Sequence, residues 1–491
     1  MGDLETLRER RDAWAAVGPA ERVALLEETR AATYARAAEW VALSARAKGL
    51  APGSHLEGEE WISGPWAVLY AINRYIRTLK RLARGLPPVE RLRVFPYDLY
   101  DRILLTGVSA DVRLKGHRIA FLDWQQAPRV ALVLGAGNIS SIAPLDVLYK
   151  LLAENAVCLV KPSPVNDYLT PVFERAFAPL VSAGFVRFVR GDAEKGAELC
   201  ADPLVDEIHV TGSVDTYAAI KSLAGAKRVT GELGSVTPTI VVPGNWSERD
   251  LRFQAENVAT QKAHNAGFNC IAAQVLIVSE TWKLKTRFLA AIETVFESTE
   301  ARPEYYPGAS ARRLALGGAG ATPSLVRLDP QAGAQAFSSE AFCNVLFCVE
   351  LPGDSQNFLA TAVRFANERL YGSLGANLIV DPVSERTLRA ELDEAISELR
   401  YGCVAVNAWA GVGYFLAETP WGAYGGETGF VHNSYLLDDV EKSRVRAPFR
   451  PLTKPPWFVT NEKQAELGRL LCDFEAGRSP VKALRIIRAA L

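Results

Sequence analysis

Apolar residues recur every three or four positions among Arg and Glu over residues 21–39, the spacing of an amphipathic helix. Residues 66–82 repeat the pattern with more aromatic weight, and Gly85-Leu86-Pro87-Pro88 stops it. Over 91–114 the rhythm changes. Val94, Tyr97, Leu104 and Val112 sit among residues that suit extended structure, predicting strands of a hairpin, a partner-facing arm or a surface sheet.

From Val130 continuous apolar runs alternate with helical stretches. Residues 130–134 end in Gly135-Ala136-Gly137-Asn138, and a helical stretch over 142–154 follows. Residues 157–160 end in Lys161-Pro162, and a helix over 169–182 leads to a run at 186–189 ending in Gly191-Asp192. A helix over 195–200 and a strand over 207–210 close with Thr211-Gly212-Ser213. Strands and helices joined by short loops predict βαβ units and a parallel sheet covered on both faces. Small and polar residues finish each strand, at the edge where open α/β sheets bind ligands. Gly135-Ala136-Gly137 continues into Asn138-Ile139-Ser140, so no Gly-x-Gly-x-x-Gly fingerprint is present. Ser213 suits a helix cap or, with the free N–H groups there, a phosphate site.

A second α/β stretch starts near Trp246, with helices over 249–262 and 282–296 flanking a strand over 275–278. Strands over 345–349, 377–380 and 402–407 and a helix over 358–370 continue it. A Gly- and aromatic-rich loop spans 411–429, and the Pro-rich segment 451–456 leads to an amphipathic helix near 462–471 and a basic tail.

At 491 residues the chain is longer than one core comfortably serves. A net charge of −1 gives no basic surplus for nucleic acid or an anionic membrane. No apolar run reaches the length of a membrane span, and the acidic start is unlike a signal peptide. The seven cysteines lack close pairs and none stands at zinc-ligand spacing from one of the five histidines, which suits reduced thiols in a cytoplasm and no metal site.

One cysteine stands apart. Cys270 follows Gly267-Phe268-Asn269 just ahead of the strand over 275–278, in a loop where a side chain is both positioned and reachable. A lone cysteine is usually a small buried hydrophobe; its company decides. Gly231-Glu232-Leu233-Gly234 precedes another strand, placing Glu232 in a turn among glycines. With Gly137-Asn138, Val160-Lys161-Pro162, Thr211-Gly212-Ser213 and Glu340-Ala341-Phe342, taken in this order, the chain resembles the aldehyde dehydrogenase superfamily over residues 127–445.

The resemblance implies a Rossmann-like nucleotide-binding domain, residues 115–243 with N-terminal helices over 1–88, and an α/β catalytic domain over 244–424. It also implies a small β oligomerisation arm from 89–114 and 425–447, leaving 448–491 as an extension without an assigned role. Cys270 matches the nucleophile, because an aldehyde releases hydride only after something has added to its carbon, and a thiolate adds readily. The Asn138 amide and the Cys270 N–H match the oxyanion donors, commonly worth about 3–4 kcal/mol each. Glu232 matches the base that activates water against the thioester.

Lys161 and Glu340 match residues that hold the two riboses of NAD or NADP, and Phe342 the ring beside the nicotinamide ribose. Thr211, Gly212 and Ser213 match the pyrophosphate site, and Leu233, Ser163 and Pro164 lie along the same cleft. A homodimer or homotetramer acting on a small-molecule aldehyde is the expected assembly. The chain departs from its relatives at Ala136-Gly137, where Pro-Trp is common, and at Phe268, where Gln is common. Pro164 stands where NAD-preferring members often carry Glu, which opens the cleft to NADP.

Three rival readings carry their own signatures. An acyl-thioester or acyl-phosphate reductase of this fold generally lacks the water-activating glutamate, and a non-catalytic member would have lost Cys270 or Glu232. A cofactor-free thiol hydrolase would need a histidine base such as His264. Trp409, Tyr414, Phe415, Trp421 and Tyr424, with Phe268, suit either an aromatic or long apolar aldehyde or subunit contacts.

Overall fold

Two sheets carry the fold in a computed structural model that describes residues 2–332, 335–354 and 357–491. After β1 (Arg93–Phe95) and β2 (Ser109–Leu114) come the five strands of the smaller sheet. These are β3 (Arg129–Leu134), β4 (Ala156–Lys161), β5 (Val186–Phe188), β6 (Glu207–Gly212) and β7 (Arg228–Leu233), in the order β5-β4-β3-β6-β7 and all parallel. Val130 to Val133 are wholly buried because helices cover both faces. Ile142–Leu152 packs on β3 and β4, and the N-terminal helix Asp3–Ala16 lies against the same two strands, its Trp14 indole donating to the Leu151 carbonyl at 3.1 Å.

The larger sheet adds β8 (Thr237–Val241), β9 (Ala273–Ser279), β10 (Ser324–Leu328), β11 (Val345–Leu351), β12 (Gly375–Ile379), β13 (Cys403–Val406) and β14 (Val440–Arg446). Its order is β1-β2-β14-β13-β12-β8-β9-β11-β10, parallel from β14 to β10 and antiparallel at the β1 and β2 edge.

Several expectations change here. Glu232 is not in a turn: it lies on β7, opposite Thr211 of β6. Tyr97 and Leu104 are not in strands, because Asp98 caps a short helix, Leu99–Leu104, by accepting the Asp101 N–H at 3.0 Å. Segments 89–114 and 425–447 supply β1, β2 and β14 at the edge of the larger sheet. The basic tail is a helix, Pro480–Ala490, with its cap on Ser479.

The C-terminal extension clamps the N-terminal helices. Helix Gln464–Ala476 approaches Gly58 so closely that a Cβ there would meet the Gln464 Cβ at 2.2 Å. Asn73 donates to the Glu475 carboxylate at 2.7 Å, and Arg478 bridges Asp98 and Asp101. Nearby, fully buried Glu418 takes Arg74 at 2.8 Å and Arg77 at 3.0 Å. That network ties helix Ala67–Leu82 to the loop that carries Tyr414 and Trp421. Loss of one partner from such a network strands a buried charge, at a typical cost of about 3–5 kcal/mol.

Candidate active site

The nucleophile loop begins where helix Glu248–Ala263 ends. Asn265 (φ 53°), Ala266 (φ 54°) and Gly267 (φ 78°) then adopt left-handed backbone in succession. Left-handed backbone costs a non-glycine residue about 1–2 kcal/mol, so the turn needs support from outside. Glu59 accepts the Asn265 N–H at 2.8 Å while paired with Arg302 at 2.6 Å. Lys48 donates to the Asn265 side-chain oxygen at 3.0 Å, to Glu60 at 2.7 Å and to the Asn138 carbonyl at 3.3 Å. The Tyr305 hydroxyl completes the set, 2.9 Å from the Asn138 carbonyl and 3.1 Å from Asn265. A Cβ at Gly267 would come within 2.5 Å of the Cys343 carbonyl oxygen, so only glycine fits.

This support joins the two sheets at one point. The Asn138 amide donates to the Phe268 carbonyl at 2.9 Å. Asn138 and Cys270 line the same narrow cavity, walled by Ile271, Trp409, Tyr414, Phe415 and Trp421. Four of the five late-loop aromatics are therefore interior walls; Tyr424 is elsewhere, donating to Glu441 at 2.9 Å. Phe268 is also outside this cavity. It is fully buried against Tyr305, Tyr306 and Phe342, with ring centroids 5.1, 5.6 and 5.7 Å away.

Burial and two carboxylates set the state of the thiol. Burial holds the Cys270 thiol well above its ordinary range, and the Glu232 and Glu340 carboxylates add to the shift. Burial likewise lifts Glu232 well above the carboxylate range, with Asp146 adding to it and the Trp421 indole opposing. Glu232 Oε1 is buried without a hydrogen-bond partner among the described residues. Burial therefore favours the protonated form of both groups. His264 lines the cavity too, but burial lowers its pKa to about 4, with Glu59 opposing and Arg302 and Lys48 reinforcing, so it stays neutral.

The carboxyl edge of the smaller sheet carries the nucleotide candidates. Lys161 ends β4, its amine shifted down by burial against the pull of Asp167 and Asp192. Ser163 accepts the Val165 N–H at 3.3 Å beneath Gly137, where a Cβ would meet its hydroxyl at 2.7 Å. Pro164 lies on the same turn, in a hollow lined by Lys48, Asn166, Tyr168 and Tyr305 with no carboxylate. Thr211 and Gly212 end β6, and exposed Ser213 caps the next helix, Val214–Leu223, by accepting the Thr216 N–H at 3.2 Å.

Leu233 ends β7 opposite Gly212. Glu340 reaches over Gly234, where a Cβ would be only 2.1 Å from its Oε2, and its buried Oε1 has no partner among the described residues. Burial raises its pKa to about 8, Lys262 and Arg312 opposing. Phe342, at φ 42°, packs on Tyr306 at 4.8 Å. An unsatisfied carboxylate above a side-chain-free glycine, a lysine amine and a helix start with free N–H groups fit a dinucleotide.

Sequence reasoning missed the residues behind the site: Lys48, Glu59, Glu60, Tyr305 and Arg302. They come from the N-terminal helices and a loop near 300, and no local pattern announces them. Asp146 was missed too, although Asp146, Lys150 and Glu154 recur every fourth residue in and just beyond an otherwise apolar helix.

Comparison with known proteins finds the same fold. Residues 130–313 match the aldehyde dehydrogenase family model. Among solved structures, a gamma-glutamyl-gamma-aminobutyraldehyde dehydrogenase from Burkholderia cenocepacia J2315 is similar over 90% of this chain and 87% of its own, at 20% identity and a TM-score of 0.65. The aldehyde dehydrogenase KauB from Pseudomonas aeruginosa is similar over 90% and 88%, at 19% identity and a TM-score of 0.63. An NAD-dependent aldehyde dehydrogenase from Sinorhizobium meliloti is similar over 90% and 85%, at 17% identity and a TM-score of 0.62. The matched segment contains Asn138, Lys161, Glu232 and Cys270, and the likeness to these solved structures carries the same fold over 90% of the chain.

Proposed function

We propose that the protein oxidises an aldehyde to its carboxylic acid with NAD or NADP, through a thioester on Cys270. The observation that carries this reading is the cavity that Cys270 and Asn138 share at the joint between the two sheets, with the Glu232 carboxylate acting on the thiol and a nucleotide edge built from Lys161, Gly212, Ser213 and Glu340. The thiolate of Cys270 adds to the aldehyde carbon, and the Asn138 amide with the Cys270 backbone N–H takes the charge developing on oxygen. A bound nicotinamide supplies the acceptor for the carbon's hydrogen, leaving a thioester on Cys270. Glu232 then draws a proton from water, and the walls of Trp409, Phe415 and Trp421 keep other water out. The acid is the expected product because Glu232 supplies the base that hydrolysis needs; a thioester reductase has no use for it.

Cys270 acts as the thiolate, and burial shifts its thiol upward. The active fraction therefore grows as pH rises from neutral into the alkaline range, by up to about tenfold per unit. Initial rates from pH 6 to 9.5 check this; a rate that falls above pH 7 contradicts it.

The walls suit an aromatic or long apolar aldehyde. Steady-state rates for a panel of short, long and aromatic aldehydes with each cofactor, with and without coenzyme A, test the assignment: acid forms without coenzyme A if it is right, and no aldehyde reduces either cofactor if it is wrong. NADP is expected to serve at least comparably to NAD. Pro164 neither accepts the 2′-hydroxyl of NAD nor repels a 2′-phosphate, and its hollow contains no carboxylate. Pro164→Glu is expected to shift the ratio of kcat/KM values about tenfold toward NAD, roughly 1.4 kcal/mol. A hundredfold NAD preference in the wild type contradicts the cofactor expectation.

A further inference from the structure

A buried column of polar side chains runs behind Glu232. Residues 207, 209 and 211 of β6 stand opposite 228, 230 and 232 of β7, and alternation puts all six on one face. Helix Ile142–Leu152 and the residues just after it lay Asp146, Lys150 and Glu154 over that face. At the outer rung, half-exposed Arg228 bridges Glu154 at 3.0 Å and Glu207 at 3.2 Å. At the middle rung, His209 Nδ1 is 2.9 Å from the Thr230 hydroxyl, which accepts from Lys150 at 3.3 Å. At the inner rung, beside Glu232, the Thr211 hydroxyl donates to Asp146 Oδ2 at 3.2 Å, and His209 Nε2 lies 3.6 Å from the same oxygen.

Asp146 is 1% exposed, and its second oxygen, Oδ1, has no partner among the described residues. Glu232 Oε1 is equally alone. Thr211, which holds Asp146 Oδ2, stands opposite Glu232 on the neighbouring strand, so the two unpartnered carboxyl oxygens belong to one buried cluster. The groups facing Asp146 are Glu232 on β7, His209 and Thr211 on β6, Cys158 on β4, and Tyr414 and His432 from the late loop, with Lys150 on its own helix. Its neighbourhood is therefore rich in groups that can hold or release a proton. Packing alone does not call for a free carboxylate oxygen here.

We propose that Asp146 is a positioning residue for thioester hydrolysis, the acceptor to which Glu232 hands its own proton as it takes one from water. The proposal rests on the function given above. Glu232 begins the step as a carboxylic acid. The water oxygen bonds to the thioester carbon, a water proton passes to one Glu232 oxygen, and the proton on the other passes to Asp146. The carbon–sulfur bond breaks with its electron pair going to Cys270, and the acid departs. Asp146 is left protonated and returns its proton to solvent between turnovers. Thr211 and His209 fix the Asp146 carboxylate so that its free oxygen stays available to Glu232.

The test needs no cofactor. 4-Nitrophenyl acetate acylates a reactive thiol directly, so nitrophenol release reports acylation of Cys270 and loss of the acetyl mass reports hydrolysis. For Asp146→Asn, acylation is expected within twofold of wild type, while the plateau rate of hydrolysis falls at least fivefold. In wild type, the hydrolysis rate plotted against the deuterium fraction of the solvent is expected to bow, because two protons move together. A hydrolysis plateau held within fivefold, including a profile in which only the acid limb shifts, overturns the relay. So does a parallel loss of acylation and hydrolysis. The isotope curve stands even if the variant does not fold, and a straight line overturns the proposal on its own. If wild-type Cys270 takes no acetyl group at all, the failure lies with the nucleophile assignment instead.

Discussion

Cys270→Ala abolishes aldehyde oxidation, lowering turnover by at least about a thousandfold, while the protein still folds and binds nucleotide. The expectation is strong because nothing nearby can substitute. His264 is held neutral by burial, and Cys343, the next thiol along the chain, is fully buried beneath the Gly267 turn. Alanine removes one sulfur from a side chain that is only partly covered, and the turn that presents it is fixed by Asn265, Glu59 and Lys48 rather than by the thiol. Thermal melting and nucleotide binding should therefore match wild type closely. An alanine variant that oxidises aldehydes at near wild-type rate places the nucleophile elsewhere.

Glu232→Gln separates the two halves of the reaction. The amide keeps the shape of the side chain on β7 but cannot take a proton, so thioester forms and hydrolysis stalls. The expected trace is a burst of reduced cofactor, about one per active site, followed by a steady rate at least about a hundredfold below wild type. Because burial raises both Glu232 and the Cys270 thiol, Glu232 can also serve Cys270 itself. Burst and steady phases falling together would assign it to that earlier step.

Much of this was legible in the sequence. The apolar runs at 130–134 and 157–160 are β3 and β4 because both of their faces are covered, and such strands read as unbroken hydrophobic stretches. The site residues were legible only jointly, through their order along the chain. β7 was not: Arg228-Val229-Thr230-Gly231-Glu232 alternates charged and polar side chains that face a buried column, and a strand with a polar inner face does not look like one. The helix Leu99–Leu104 was missed because its aromatic and branched residues favour strands in isolation, while a capping aspartate and contacts with the C-terminal extension decide otherwise. The role of that extension could not be read at all, since Gln464, Cys472 and Glu475 find their partners some four hundred residues earlier.

The central claim is a covalent one, and it is tested most directly by acid-quenching the Glu232→Gln protein after mixing with hexanal and NADP or NAD, then measuring peptide masses. The account predicts the acyl mass of the oxidised aldehyde on the peptide that contains Cys270, in proportion to the cofactor reduced. Cofactor reduction with that peptide unmodified throughout, or the acyl group on another cysteine, would contradict it.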